Sequence, residues 1–177
     1  IVGKRGNRWR AFMTLCRSLG IKTEYAVAKN RLSPAAPGQI TQATQYVEPL
    51  VRVSTGQGPI WLTVASKFAP FGYVPAEIRG VEAFVLTEAG PKKIVTPAGG
   101  TEDSVTYEGT VDLAADGSAK LNLVQSFSGK YAMAVRSAFI QLPESQLRDL
   151  VESKLLARAL RGARSLSHEL THLDALD

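Results

Sequence analysis

His168-Glu169-Leu170-Thr171-His172 matches the pattern H-E-x-x-H, and these two histidines are the only ones in the chain. On a helix, histidines four apart face the same way and can share a zinc ion while the glutamate serves as general base. The chemistry implied is that of a zinc-dependent hydrolase, with zinc as the cofactor. A catalytic zinc of this kind needs a third protein ligand and one open position. Only five residues follow His172, and Asp174 and Asp177 are the acids among them. Upstream, Leu160 to Ser167 contains Gly162 and two serines, which reads as a helix end followed by extended chain. As a strand, Leu166, His168, Leu170 and His172 share one face and Glu169 points to the other. The glutamate then cannot serve a metal held by the histidines. The expectation is a terminal strand with a fortuitous match and no cofactor, with zinc chemistry as the alternative.

Cys16 is the single cysteine, which excludes an internal disulfide and any thiolate-rich zinc cluster. It falls within an apolar stripe and is expected to be a small buried hydrophobe rather than a nucleophile. Gly3-Lys4-Arg5-Gly6 lacks the spacing of a phosphate loop, and no Gly-x-Ser-x-Gly elbow occurs. Glu77, Glu82 and Glu88 read as surface carboxylates in an irregular region, not as an acid/base pair.

Asn7 is suited to cap a helix whose apolar side is Trp9, Phe12, Met13, Cys16 and Leu19, with Gly20 as its stop. Residues 23 to 29 read as a strand and Ser33 to Gly38 as a loop. Tyr46 to Ser54 and Ile60 to Val64 read as strands joined through Gly56-Gln57-Gly58-Pro59. Lys67 to Gly80, rich in proline, glycine and aromatics, is expected to be packed but irregular. Val81 to Thr87 and Lys92 to Thr96 are short strands.

Pro97-Ala98-Gly99-Gly100 is the best domain boundary, dividing a unit 1–98 from a unit 101–177. Beyond it, Val105, Tyr107, Val111 and Leu113 alternate with polar residues. After the turn signal Asp116-Gly117, Ala119, Leu121, Leu123 and Phe127 resume the alternation, giving a hairpin with one apolar face. Gly109 is a candidate bulge. A helix from about Lys130 to Gln141 follows, with Tyr131, Val135, Ala138 and Phe139 inward. A second helix opens with Pro143 in its first turn, buries Leu147, Leu150, Val151 and Leu155, and ends at Gly162.

The 177 residues are 45% hydrophobic and 21% charged, a globular composition. No apolar run reaches the length of a membrane span. The opening Ile1-Val2-Gly3 has no initiator methionine, so the natural start is expected upstream. Of the net charge of +5, the excess lies in residues 1 to 31, where eight cations stand against Glu24. Aromatics do not alternate with these cations as a base-stacking platform requires, so no nucleic-acid partner is expected.

Gly3-Lys4-Arg5-Gly6-Asn7-Arg8 followed by Leu15-Cys16-Arg17-Ser18-Leu19-Gly20-Ile21 resembles the central helix of the transglutaminase-like superfamily. Tyr25 to Ala28, Tyr46 to Val53, Trp61-Leu62-Thr63-Val64 and Phe68 to Pro75 continue the resemblance, the last toward bacterial exported members that join this fold to β-rich domains. It implies an α+β fold, a central helix packed on antiparallel strands, followed by a hairpin and two-helix unit. It also implies that the positions of the family's cysteine, histidine and aspartate are held here by Arg5, Glu48 and Thr63. Arginine stays protonated and cannot attack an amide. The resemblance therefore implies a catalytically silent module of an exported or periplasmic protein, acting in binding or assembly with a protein or peptide partner; its cleft, lined by Arg5 and Arg8, is expected either to hold an acidic peptide or a carboxylate or to be simply filled. An amide-directed cysteine enzyme would need its nucleophile from outside this chain.

Overall fold

A computed structural model describes residues 6–33, 43–140, 142–157, 160 and 162–174. The expectations for Arg5, for residues 34 to 38, for Gln141 and for Asp177 lie outside the described residues. The fold is α+β, with antiparallel sheets and few helices.

Helix α1 runs Arg8–Ser18. Asn7 caps it as its sequence predicts, its side-chain oxygen accepting from the Trp9 N–H at 3.2 Å. It ends in a paired closure: the Ile21 N–H donates to the Cys16 carbonyl at 2.8 Å and the Gly20 N–H to Arg17 at 3.0 Å. Gly20 takes φ +74°, which a residue without Cβ adopts freely. Trp9, Phe12, Met13 and Cys16 face inward as expected. Leu19 does not: as the C-cap it lies past the last turn of the stripe and is exposed.

Five strands follow: β1 Thr23–Lys29, β2 Tyr46–Thr55, β3 Gly58–Leu62, β4 Glu82–Thr87 and β5 Gly90–Val95. They form one antiparallel sheet in the order β3-β2-β1-β4-β5. Because successive side chains alternate in direction, each face collects its own core. On one face Val51, Val53 and Leu62 receive Trp9, Phe12 and Met13 of α1. On the other, Ala26, Ala28, Leu50, Trp61, Ala83 and Val85 pack beneath Val74 and Ile78 of the 67–80 segment. That segment is irregular and anchored by the buried side chains of Phe68, Tyr73, Val74 and Ile78, with a short 3-10 turn at Ala76–Ile78. Thr96, itself buried, ties it down by donating to the Ile78 carbonyl at 2.7 Å and accepting from the Val81 N–H at 3.0 Å.

Strands β6 (Val105–Leu113) and β7 (Ala119–Phe127) make a separate two-stranded sheet. Asp116 shapes its turn by accepting from the Ser118 N–H at 2.9 Å, and Gly117 takes φ +83°. Gly109 is not a bulge, since the register from Val105↔Phe127 to Leu113↔Ala119 is unbroken. The glycine answers a close approach instead: a Cβ there would lie 2.5 Å from the Asn122 carbonyl oxygen.

Helix α2 is Gly129–Phe139. Its inward residues are Arg136 and Phe139, with Ala132, Met133 and Val135 partly covered, whereas Tyr131 and Ala138 are exposed. The rotation is set by a contact the periodicity does not contain. Asp103 accepts from the Lys130 N–H at 2.8 Å and from the Tyr73 hydroxyl at 2.7 Å, fixing the first turn against the sheet unit. Helix α3, Glu144–Leu150, has Pro143 as its extended N-cap rather than inside its first turn. It widens into a π-helical stretch, Val151–Leu156, burying Val151 and partly covering Leu147, Leu150 and Leu155. Residues 163–174 form no strand, correcting the expected terminal strand. Side chains hold them where a ladder would have. Glu152 accepts from the Ser165 N–H at 2.8 Å, Arg148 donates to the Ser165 carbonyl, and Arg136 donates to the His172 carbonyl at 3.3 Å.

Candidate functional site

A cleft opens where α1 begins, and the sheet explains why it is there. The last β2–β3 pair is Val51↔Leu62, after which β3 ends and the chain turns away through Thr63 to Ala65. Pro49 lies two residues beyond that pair, where no donor toward β3 is called for. It is left as the floor of a hollow of about 360 Å³, walled by Gly6, Asn7, Arg8, Trp9, Val64 and Ala65 and open to solvent. The Thr63 hydroxyl receives the Ala65 N–H at 3.3 Å, and the Arg8 guanidinium donates to the Ala65 carbonyl at 3.1 Å. Trp9 is fixed by its contact with Tyr25, ring centroids 4.3 Å apart, and the Arg10 guanidinium lies over its ring at 5.2 Å. The first turn of α1 carries no acid. The positive end of the helix and one guanidinium therefore lie beside an apolar floor, an arrangement that suits a carboxylate.

The positions singled out by family resemblance do not all meet here. Arg5 lies outside the described residues. Arg8 is on the rim. Glu48 alternates with Leu50 on β2 and so belongs to the sheet face turned away from α1, while Thr63 lies past the end of β3, where the chain turns away. Glu48 accordingly meets Asn30, whose amide donates to it at 3.1 Å. The neighbours that do face the start of α1 are Pro49 and Val64, which carry no proton-transfer group. Cys16 sits two turns along α1 in the buried stripe, and burial pushes its thiol up, away from the thiolate a nucleophile needs.

His168 and His172 are both exposed in a stretch that is neither helix nor strand, and His172 has φ +56°. The one-turn spacing that lets two histidines share a metal is therefore not present. Among the described residues no group of three His, Cys, Asp or Glu side chains is gathered for a metal ion.

A polar cluster on the α1 face of the sheet has no signal in local sequence. Glu82 of β4 pairs with Lys29 of β1 at 2.6 Å and with Lys93 of β5, and it accepts from the Tyr46 hydroxyl at 3.2 Å. Hydrogen bonds from Lys29 and Lys93 hold its carboxyl down at about 2, and the Glu82 contact raises Lys29. Its charges are mutually satisfied. A second open hollow lies beside the π-helical stretch, lined by Asp149, Glu152, Ser153 and Arg164 among others. There Glu152 is already engaged by Ser165, Arg164 and Arg148. Among the described residues, no helix is long and apolar enough to cross a membrane.

Comparison with known proteins returns no match for this chain, whether against family models, curated proteins or solved structures.

Proposed function

We propose that this chain is a catalytically silent, transglutaminase-like binding module, part of a larger exported bacterial protein, which takes an acidic peptide segment into the cleft at the start of α1. The observation that carries this reading is the make-up of the cleft. Arg8 and the positive end of α1 supply positive character, while Pro49, Val64 and Trp9 supply apolar walls without a nucleophile or base. The transglutaminase-like part of the reading rests on the sequence resemblance alone, beside an α+β architecture of a helix and an antiparallel sheet. The exported setting rests on that resemblance alone.

The test is a titration with a short glutamate-rich peptide, followed by fluorescence. Trp9 lines the cleft while Trp61 is buried in the opposite core, so a spectral change reports on the cleft. Binding should weaken about tenfold in Arg8→Ala and fall with added salt, as a charge-assisted contact at a surface does. Absence of binding at low ionic strength, or binding indifferent to Arg8→Ala, would rule the reading out.

A further inference from the structure

Helix α1 lays its apolar stripe on the sheet and leaves one flank bare. At about 3.6 residues per turn, positions seven and eleven along a helix return to within about 20° of the starting direction. Arg8, Leu15 and Leu19 stand at that spacing, so they form one row down the helix. Leu19 keeps its place in the row because its N–H still donates to the Leu15 carbonyl, at 3.2 Å. The row is uncovered, with exposure of 63% at Leu15 and 70% at Leu19. Ile21, exposed as well, follows at the closure in which its N–H reaches the Cys16 carbonyl. A single exposed leucine is ordinary on a protein surface. Two stacked one turn apart, with a guanidinium at the head of their row, make a strip.

Charge selects what covers that strip. From Gly6 to Lys22 the chain holds Arg8, Arg10, Arg17 and Lys22, all exposed, and no acid. The first acid after them, Glu24, is taken by Arg52. An anionic partner is therefore attracted along the whole helix and a cationic one repelled. Geometry then separates a peptide from a flat anionic surface. Arg10 and Arg17 lie about 140–180° around the helix from the leucines, so a plane laid on the leucines turns both cations away. A narrow chain needs only the row, and the row begins at Arg8, on the rim of the cleft.

We propose that the acidic peptide taken by the cleft continues along this flank of α1 and lays two aliphatic side chains over Leu15 and Leu19. The proposal rests on the cleft reading and gives its ligand a pattern. At about 1.5 Å of rise per residue, Leu15 stands about 10 Å and Leu19 about 16 Å beyond Arg8. An extended chain advances about 3.3 Å per residue and sends alternate side chains to one side. The ligand is therefore one or two acids followed, about three to four residues on, by aliphatic residues at alternate positions.

The test uses acetylated, amidated heptapeptides and the Trp9 fluorescence signal. One peptide carries two glutamates followed by five serines. A second has leucine at its fifth and seventh positions, and a third reverses the second's order to cover both chain polarities. The second or the third should bind at least about tenfold more tightly than the first, and the Leu15→Ala, Leu19→Ala double variant should abolish that ratio. Both side chains are exposed, so the double variant keeps its fold, which circular dichroism checks. Arg8→Ala weakens all three peptides and so reports on the cleft separately. If no peptide binds, the cleft reading falls and this inference with it. If the first binds through Arg8 and the leucines add nothing, this inference falls and the cleft stands. A gain that survives the double variant also overturns it, because the leucines are then seated elsewhere. Capture by phosphatidylglycerol vesicles that depends on Leu15, without the peptide gain, assigns the flank to a membrane surface instead and overturns the peptide.

Discussion

Glu82 accepts from Lys29 and Tyr46 through one carboxylate oxygen and pairs with Lys93 through the other, so one acid ties β1, β2, β4 and β5 together. Its carboxyl titrates at about 2 in the folded chain, against an ordinary 4.5. A depressed carboxyl stabilises the fold wherever it is ionised in both states, and that contribution disappears as pH falls through the folded value. Glu82→Gln should therefore lower the urea midpoint at pH 7, with the gap to the parent protein closing between about pH 4.5 and 2. The gap should also shrink with salt, since these groups are open to solvent. A gap unchanged at pH 2 would mean that the ion pairs contribute nothing. Cys16 offers a contrasting case of a titratable group with no partner. Its thiol is buried in the α1 stripe and raised by that burial. Its reaction with a disulfide reagent should be on the order of a hundredfold slower in the native protein than in denaturant, because attack waits for local opening.

At the scale of elements, the start of α2 is tightly constrained. Gly129 has φ +55°, and a Cβ there would come within 2.0 Å of Asp103 Oδ1, the atom that receives the Lys130 N–H. Gly129→Ala should thus cost about 2 kcal/mol or more, combining left-handed strain with loss of the cap. Asp103→Asn, which keeps the shape and loses the charge, should cost about 1 kcal/mol. Equal urea midpoints for Gly129→Ala and the parent would remove Asp103 as the anchor. Elements of this kind divide what was legible beforehand from what was not. β1 was readable to the residue because Ala26 and Ala28 alternate with larger or polar neighbours. The hairpin was readable from its period of two and from Asp116-Gly117. The terminal segment was not, because the alternation of Leu166, His168, Leu170 and His172 is only half of a strand. The other half is a neighbouring strand, and Arg148, Glu152 and Arg136 hold the segment in its place.

For the whole molecule, the cleft was legible only in part. The helix start is written locally in Asn7 and the apolar stripe, whereas Arg8 was singled out through the family resemblance; it stands at the cleft. Glu48 and Thr63 were matched by motif, whereas strand alternation with Leu50 turns Glu48 to the opposite layer and Thr63 falls past the end of β3. Pro49 and Val64 carried no chemical signal at all, and their place on the cleft floor arises from where β3 stops. The cluster around Glu82 was equally hidden, since Lys29 lies 53 residues away in sequence.

Pro97-Ala98-Gly99-Gly100 has the composition of a cuttable hinge, yet the chain around it is fastened. Arg79 donates to Thr101 and, at 2.7 Å, to Val74, while Tyr73 donates to Asp103. A nick between Gly99 and Gly100 would leave Thr101 and Asp103 on one fragment and their donors on the other. Each half would then expose polar groups that only the other half satisfies. The two units are thus neighbours that complete each other's hydrogen bonding, and severing them at the glycines would yield fragments inclined to find each other again.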